Sequence, residues 1–325
     1  MSIPTLDRPL HEEAVQRPAG GTGDKVFRSL TRGAGILILV IMALIAIFLF
    51  WKAIPAFQAN TANFFTTTAW FPDQTPPVFG IAALAFGTIA TAVIAMVLAV
   101  PVGIGIALFI TVYAHARIAS ALGFVTDLLA AVPSIIFGLW GLEVLMGHMQ
   151  GLMQWLNDYL GFIPIFKNTQ DLYTRSIMIA AVVLAIMILP TISSLTREVF
   201  LQVPRDHIEA AWALGATRWE MVRLAVLPYG RPGMISASML GLGRALGETI
   251  AVALVLSASF DINWHLTEPG GNTFAANIAL QFNEAGPIGL SALIASGLVL
   301  FVITLAVNMA ARLIIAGRSE FRGTE

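Results

Sequence analysis

Cysteine is absent from this 325-residue chain. Disulfides, thiolate metal sites, a cysteine nucleophile and lipid attachment through sulfur are therefore excluded. Charge is scarce as well. Asp, Glu, Lys and Arg make up 11% of the residues, where a soluble domain carries about 25%. There is no phosphate-binding loop, because its Gly-Lys-Ser/Thr core needs lysine after glycine; Lys25, Lys52 and Lys167 follow Asp24, Trp51 and Phe166. The five histidines lack His-Glu-x-x-His spacing, and no Gly-x-Ser-x-Gly elbow occurs. Basic residues are scattered over loops without aromatic interleaving, which argues against nucleic-acid binding. Metal and serine hydrolase chemistry are thus unsupported, and any energy for work must come from another subunit or an ion gradient.

What the chain has is apolar length. Hydrophobic residues make up 57% of it and the mean hydropathy is +0.81, the composition of an integral membrane protein. The apolar runs are continuous and do not alternate, so the spans are helices and the fold class is all-α and polytopic. Residues 1–33 read as an N-terminal tail, 34–315 as the membrane domain and 316–325 as a C-terminal tail. The first span covers Ala34–Trp51. The apolar run Phe79–Tyr113 exceeds one perpendicular crossing and must tilt, break near Pro101 or project. A third span falls within Ile118–Met149, interrupted by Asp127, Pro133 and Glu143, followed by an amphipathic external segment over 150–175. Three more follow at Ile177–Leu195, Met234–Ser257 and Ile288–Ile315, making six transmembrane helices. Trp70, Trp155 and Trp264 fit interfacial anchors.

Lys and Arg placement sets the orientation. With the N-terminus inside, the inner segments hold Lys25, Arg28, Arg32, Arg117, Arg197, Arg205, Arg218, Arg223, Arg231, Arg312, Arg318 and Arg322. The outer segments hold only Lys52, Lys167 and Arg175, so the positive-inside rule predicts N-in, C-in.

The inner loop Val203–Pro228 is organised beyond the needs of a connection. Pro204 suits a first helical position, and Asp206 and Glu209 sit where the helix start favours negative charge. Gly215 supplies a left-handed stop. Thr217 with Glu220 forms a capping box for a second short helix, which Pro228 is expected to end. Two capped helices on one inner loop suggest a docking element, with an ordinary loop between membrane helices as the alternative.

The fifth span opens with Gly241-Leu-Gly243-Arg244-Ala-Leu-Gly247-Glu248-Thr249. Gly243 and Gly247 predict a close helix–helix approach. Arg244 and Glu248, four apart, share a face of a continuous helix and form either an anion pathway or a self-neutralising structural pair. Asp127 either pairs across helices or lies at the inner interface.

The run Glu209-Ala210-Ala211, three residues, Gly215 and then Leu227-Pro228 resembles the EAA loop of bacterial binding-protein-dependent ABC importer permeases. Ala225 stands where that family usually carries isoleucine. The strings GRALGETIAVALVL (Gly243–Leu256), DLLAAVPSIIFGLWGL (Asp127–Leu142) and TFAANIALQFNEAG (Thr273–Gly286) resemble the C-type permease subunits of phosphate importers.

The resemblance implies a permease subunit for inorganic phosphate in the bacterial cytoplasmic (inner) membrane, with no catalysis of its own. It implies an ATPase-coupling loop over 198–232, with Glu209, Ala210, Ala211 and Gly215 contacting or shaping the ATPase interface. Arg244 and Glu248 become the phosphate-pathway residues. The implied partners are a second permease subunit, two cytoplasmic ATPases that carry ATP and magnesium, an external phosphate-binding protein and the lipid bilayer. No cofactor or metal is implied in this chain. A gradient-driven anion carrier, a permease for another oxyanion and a non-transporting scaffold are the competing readings of the same residues.

Overall fold

The structure, a computed structural model, describes residues 22–319, and most of it is helix with almost no sheet. Of the tails expected over 1–33 and 316–325, residues 1–21 and 320–325 lie outside the described residues, and residues 22–33 and 316–319 are helical. Helix α1 runs Thr22–Ala59. The chain divides between Phe48 and Leu49, and up to Phe48 α1 is a bare apolar helix, its side chains almost all exposed.

The rest follows in the second unit. A short hairpin pairs β1 (Trp70–Phe71) with β2 (Val78–Phe79). Next come α2 (Ala82–Leu108), α3 (Ala116–Ala130), α4 (Ser134–Trp140), α5 (Met146–Leu160) and α6 (Ile177–Leu201). The short α7 (Arg205–Ala213) and α8 (Arg218–Met221) lead into α9 (Leu227–Gly247), and α10 (Ile250–Val255), α11 (Phe274–Gln281) and α12 (Pro287–Ser319) complete the chain. Among the described residues, five continuous helices are long and apolar enough to cross a membrane: Gly23–Ala59, Ala82–Tyr113, Ser134–Leu160, Ile177–Leu201 and Pro287–Leu313.

The core is built around α6. Of its most apolar window 72% is buried, far more than in any of the other four. Helix α2 lies against it through a stripe of small residues, Ala92, Ala95, Ala99, Gly103 and Ala107, all buried and spaced three or four apart. Small side chains bring two backbones close, which is how helices associate in lipid, where apolar burial alone gains little. This packing explains why α2 does not break at Pro101. It continues through a π-helical turn at Phe109–Tyr113, a rise of roughly 48 Å over its whole length, so the run projects beyond an apolar layer of about 30 Å.

Three boundaries differ from expectation. The apolar stretch 118–149 is two helices that part at Pro133, since the ring disfavours helical backbone in the residue before it. The span that begins at Ser134 continues through a π-helical turn at Gly141–Leu145 to Leu160, absorbing residues expected in an external segment. The span expected over Met234–Ser257 is discontinuous: α9 stops at Gly247 and helix resumes at Ile250.

The loop end near the hairpin has its own core. Trp70 is not an interfacial anchor. It is buried, stacks on Phe260 (centroids 6.1 Å apart) and donates Nε1–H to Gln281 at 2.6 Å. Nearby, buried Glu268 joins two loops, accepting both the N–H and the hydroxyl of Thr169 at 2.7 Å, with Asn263, Gln170 and His265 around it. Burial pushes this carboxyl up, but the Thr169 and Asn263 hydrogen bonds and His265 outweigh it and hold it below the ordinary value.

Two outcomes are expected. A Cβ at Gly87 would run into the Asn272 backbone, whereas one at Gly105 on the same helix meets nothing. Gly87→Ala should cost about 1–3 kcal/mol and lower the thermal midpoint of the purified protein. Gly105→Ala should be neutral or stabilising by up to about 1 kcal/mol. The second concerns Glu268, whose depressed pKa gives stability that is present above the ordinary 4.5 and lost as pH falls through the lowered value. Glu268→Gln should destabilise on the order of 2 kcal/mol at neutral pH, with the difference vanishing in acid, as followed by thermal melts at several pH values.

Candidate functional site

Two places bring chemistry together: the α7–α8 loop and a pocket beside α9. The loop is positioned by burial on one side only. Val203, Ala211, Met221, Val222 and Val226 pack with Phe200 of α6 and Ala107 of α2, holding α7 across the ends of both helices. Pro204 lies one position outside α7, at its N-cap, and Asp206 falls in the first turn. Gly215 has φ +78°, a conformation that costs other residues roughly 1–2 kcal/mol. The Thr217–Glu220 capping box forms reciprocally: the Glu220 N–H donates to Thr217 Oγ1 at 3.3 Å, and the Thr217 N–H donates to Glu220 Oε2 at 2.7 Å. The Thr217 backbone N–H and then its hydroxyl hold the Glu220 carboxyl below its ordinary value.

Pro228 does not end the second helix. A π-helical turn at Val222–Val226 precedes it, and the chain runs on helically into α9. The wider turn makes room for a ring that would otherwise clash with the preceding turn. Helix is therefore unbroken from Arg218 to Gly247.

Of the four loop residues singled out by sequence, Glu209, Ala210 and Gly215 are exposed. Ala211 is buried against the loop's own core, so it shapes the surface and does not form it. The sequence reading passed over the apolar part of that surface. Trp212, Leu214, Trp219 and Leu224 are all more than half exposed, Leu214 at 89%. Large apolar side chains displayed on polar helices carry the signature of a contact surface, and their clustering around Gly215 was readable.

The Arg244–Glu248 arrangement differs from the expected shared face. Gly247 ends α9, Glu248 is extended (φ −67°, ψ 129°), and the two side chains make no ion pair. Instead each complements a helix end. Arg244 sits in the last turn of α9, where carbonyl dipoles favour a cation. Glu248 accepts the Ala251 N–H at 3.2 Å at the start of α10, where a carboxylate is favoured. Gly243 and Gly247 face open space; the α9 glycines that α6 approaches are Gly230 and Gly233, against Phe200 and Val199, and Gly241, against Ile192.

Arg244 donates Nη1–H to Thr191 Oγ1 of α6 at 3.2 Å. It lines an open pocket of about 630 Å³ together with Thr191, Ser236, Asn308 and Arg312. Glu248 is not part of that lining. Asn308 and Arg312 on α12 were not among the sequence candidates, although a polar residue and a cation four apart within an apolar helix share a face, which is a readable signal. Asp127 resolves as a cross-helix partner: Arg197 of α6 reaches it at 3.1 Å and Glu198 at 2.9 Å.

Comparison with known proteins then places the chain. Residues 99–319 match the family described as binding-protein-dependent transport system inner membrane component. The phosphate transport system permease protein PstC 2 of Mycobacterium tuberculosis is 47% identical over 318 residues, spanning 96% of this chain and 98% of that protein. The phosphate transport system permease protein PstC of Xylella fastidiosa is 41% identical over 303 residues, spanning 92% and 93%. Among solved structures, a bacterial ABC transporter involved in import of the acidic polysaccharide alginate aligns with a TM-score of 0.52 at 17% identity, over 89% of this chain and 99% of that one. That likeness bears on fold alone.

The loop geometry yields one expectation. Thr217→Ala removes the cap of α8 and should cost about 1 kcal/mol of local helix stability. Amide hydrogen exchange over residues 217–221 should speed up while α6 is unchanged. In the wild type, the part contributed by Glu220 is present above pH 4.5 and lost as pH falls below it.

Proposed function

Because the chain belongs to the family of binding-protein-dependent transport system inner membrane components, we propose that it is a permease subunit of an ATP-driven importer that carries inorganic phosphate across the bacterial inner membrane. The observation that carries this reading is the coexistence of a one-sided docking loop with an arginine held in a pocket among the membrane helices.

The loop faces the cytoplasm, where Glu209, Ala210, Trp212 and Leu214 meet an ATPase subunit. Two such subunits bind ATP and magnesium, one on this chain and one on a second permease that completes the pore. An external binding protein delivers phosphate and sets most of the selectivity. When the ATPases close, α7 moves with them, and the unbroken helix from Arg218 to Gly247 carries the displacement to Arg244.

Arg244 suits the cargo. Its guanidinium stays charged at every accessible pH, and its planar fork matches two oxygens of a tetrahedral anion. The Thr191 hydroxyl fixes one edge and leaves other N–H groups free. Glu248 acts through the backbone, capping α10 so that the span can break beside Arg244. Its carboxylate stays away from the anion, which it would otherwise repel.

The test is reconstitution of the permease pair, ATPases and binding protein in proteoliposomes, with phosphate compared against sulfate and molybdate. Hydrolysis and accumulation should respond to phosphate. Response to another anion would overturn the substrate, and uptake driven by a proton gradient without ATP would overturn the ATP-driven reading. Glu209→Lys should insert and assemble in the membrane yet lose at least about tenfold of the stimulated hydrolysis, a loss of about 1.4 kcal/mol in coupling.

A further inference from the structure

The pocket beside α9 holds two arginines from different helices. Arg244 comes from α9 and Arg312 from α12, with Asn308 one turn before Arg312 and Thr191 on the α6 side. Among the described residues no carboxylate lines it. Cations within membrane helices are costly and face a partner or a watery path. Here the described residues give neither arginine a salt bridge. The pocket, about 630 Å³, is large enough for a small anion with several waters at about 30 Å³ each.

The donors are complementary. Two guanidiniums, the Asn308 amide and the Thr191 hydroxyl offer N–H and O–H groups from three helices toward one space, and a tetrahedral oxyanion has acceptors on every side. A single arginine can serve only part of such an ion. Building on the phosphate-permease reading, we propose that Arg312 is a second anion contact in the translocation path, holding an inorganic oxyanion together with Arg244 and Asn308. Its positive charge is then more than a marker of membrane orientation. Because the contacts come from α9 and α12, any change in the spacing of these helices alters how both arginines grip the ion, and so sets its release.

The lack of cysteine in this chain gives a direct test. In the full complex, Arg312→Gln should lower phosphate uptake about tenfold while assembly and basal ATP hydrolysis stay unchanged. Arg312→Lys should recover part of the loss. In an Arg312→Cys complex, a thiol reagent that adds a positive group should restore uptake, a neutral reagent of equal size should not, and phosphate should slow the modification. The same complex without the new thiol serves as the control. Normal uptake in Arg312→Gln, equal rescue by both reagents, or no protection by phosphate would overturn the proposal. A lipid headgroup offers the same phosphate chemistry, so the assays are repeated in purely zwitterionic vesicles. Persistence of the defect supports the inorganic ion, and its disappearance would assign the site to anionic lipid and overturn the proposal. Wild-type complex that fails to carry phosphate would instead sink the permease reading itself.

Discussion

In hydrocarbon, a broken helix leaves N–H and C=O groups with no water to meet them, so irregular backbone survives only where protein or a polar cavity satisfies it. The break at Glu248–Thr249 meets that constraint with two side chains of opposite charge. Arg244 complements the carbonyl end of α9, and Glu248 takes up the Ala251 N–H at the start of α10. Two charges that look like an ion pair in the sequence are separated so that each can stabilise a helix end. The arginine is thereby left facing the pocket, with Thr191 as its only hydrogen-bond partner among the described residues.

How much of this was legible depends on range. The α7–α8 loop is governed by neighbours in sequence: Gly215 at positive φ and the Thr217–Glu220 box were both readable, because each is a bond between residues close along the chain. Pro133 was readable as an interruption, but not that the helix after it would absorb the next segment. Pro228 was misleading, since a π-helical turn, which no local propensity announces, accommodates it. Arg244 and Glu248 were identified as residues and misjudged as a pair, because four-residue spacing implies a shared face only if the helix continues. Gly243 and Gly247 resembled an approach motif, yet nothing among the described residues packs on them; Gly230, Gly233 and Gly241 carry the contacts with α6. Trp70 looked like an interfacial residue until Phe260 and Gln281, distant in sequence, were seen to enclose it.

Family membership and physical chemistry agree on a division of labour. The sequence carries no Gly-Lys-Ser/Thr nucleotide loop, and the α7–α8 loop presents an apolar, partly charged face suited to a protein partner. The α6 helix, buried on most sides, gives both functional regions one reference: Thr191 on it fixes Arg244, and Phe200 near its end supports the α7–α8 loop. A residue change in the middle of α6 would therefore disturb the Arg244 pocket and the α7–α8 loop together, whereas a change at either region alone stays local.

The unbroken course from Arg218 to Gly247 has a mechanical corollary. A helix of this length spans roughly 45 Å and resists bending, so it works as a rod and not as a tether. A tether would dissipate a push as slack. Gly230, Gly233 and Gly241 lay this rod along α6, against Phe200, Val199 and Ile192, so a displacement at the loop moves the whole rod against α6. A push on α8 is thereby delivered to the far end of the same helix, which carries Arg244.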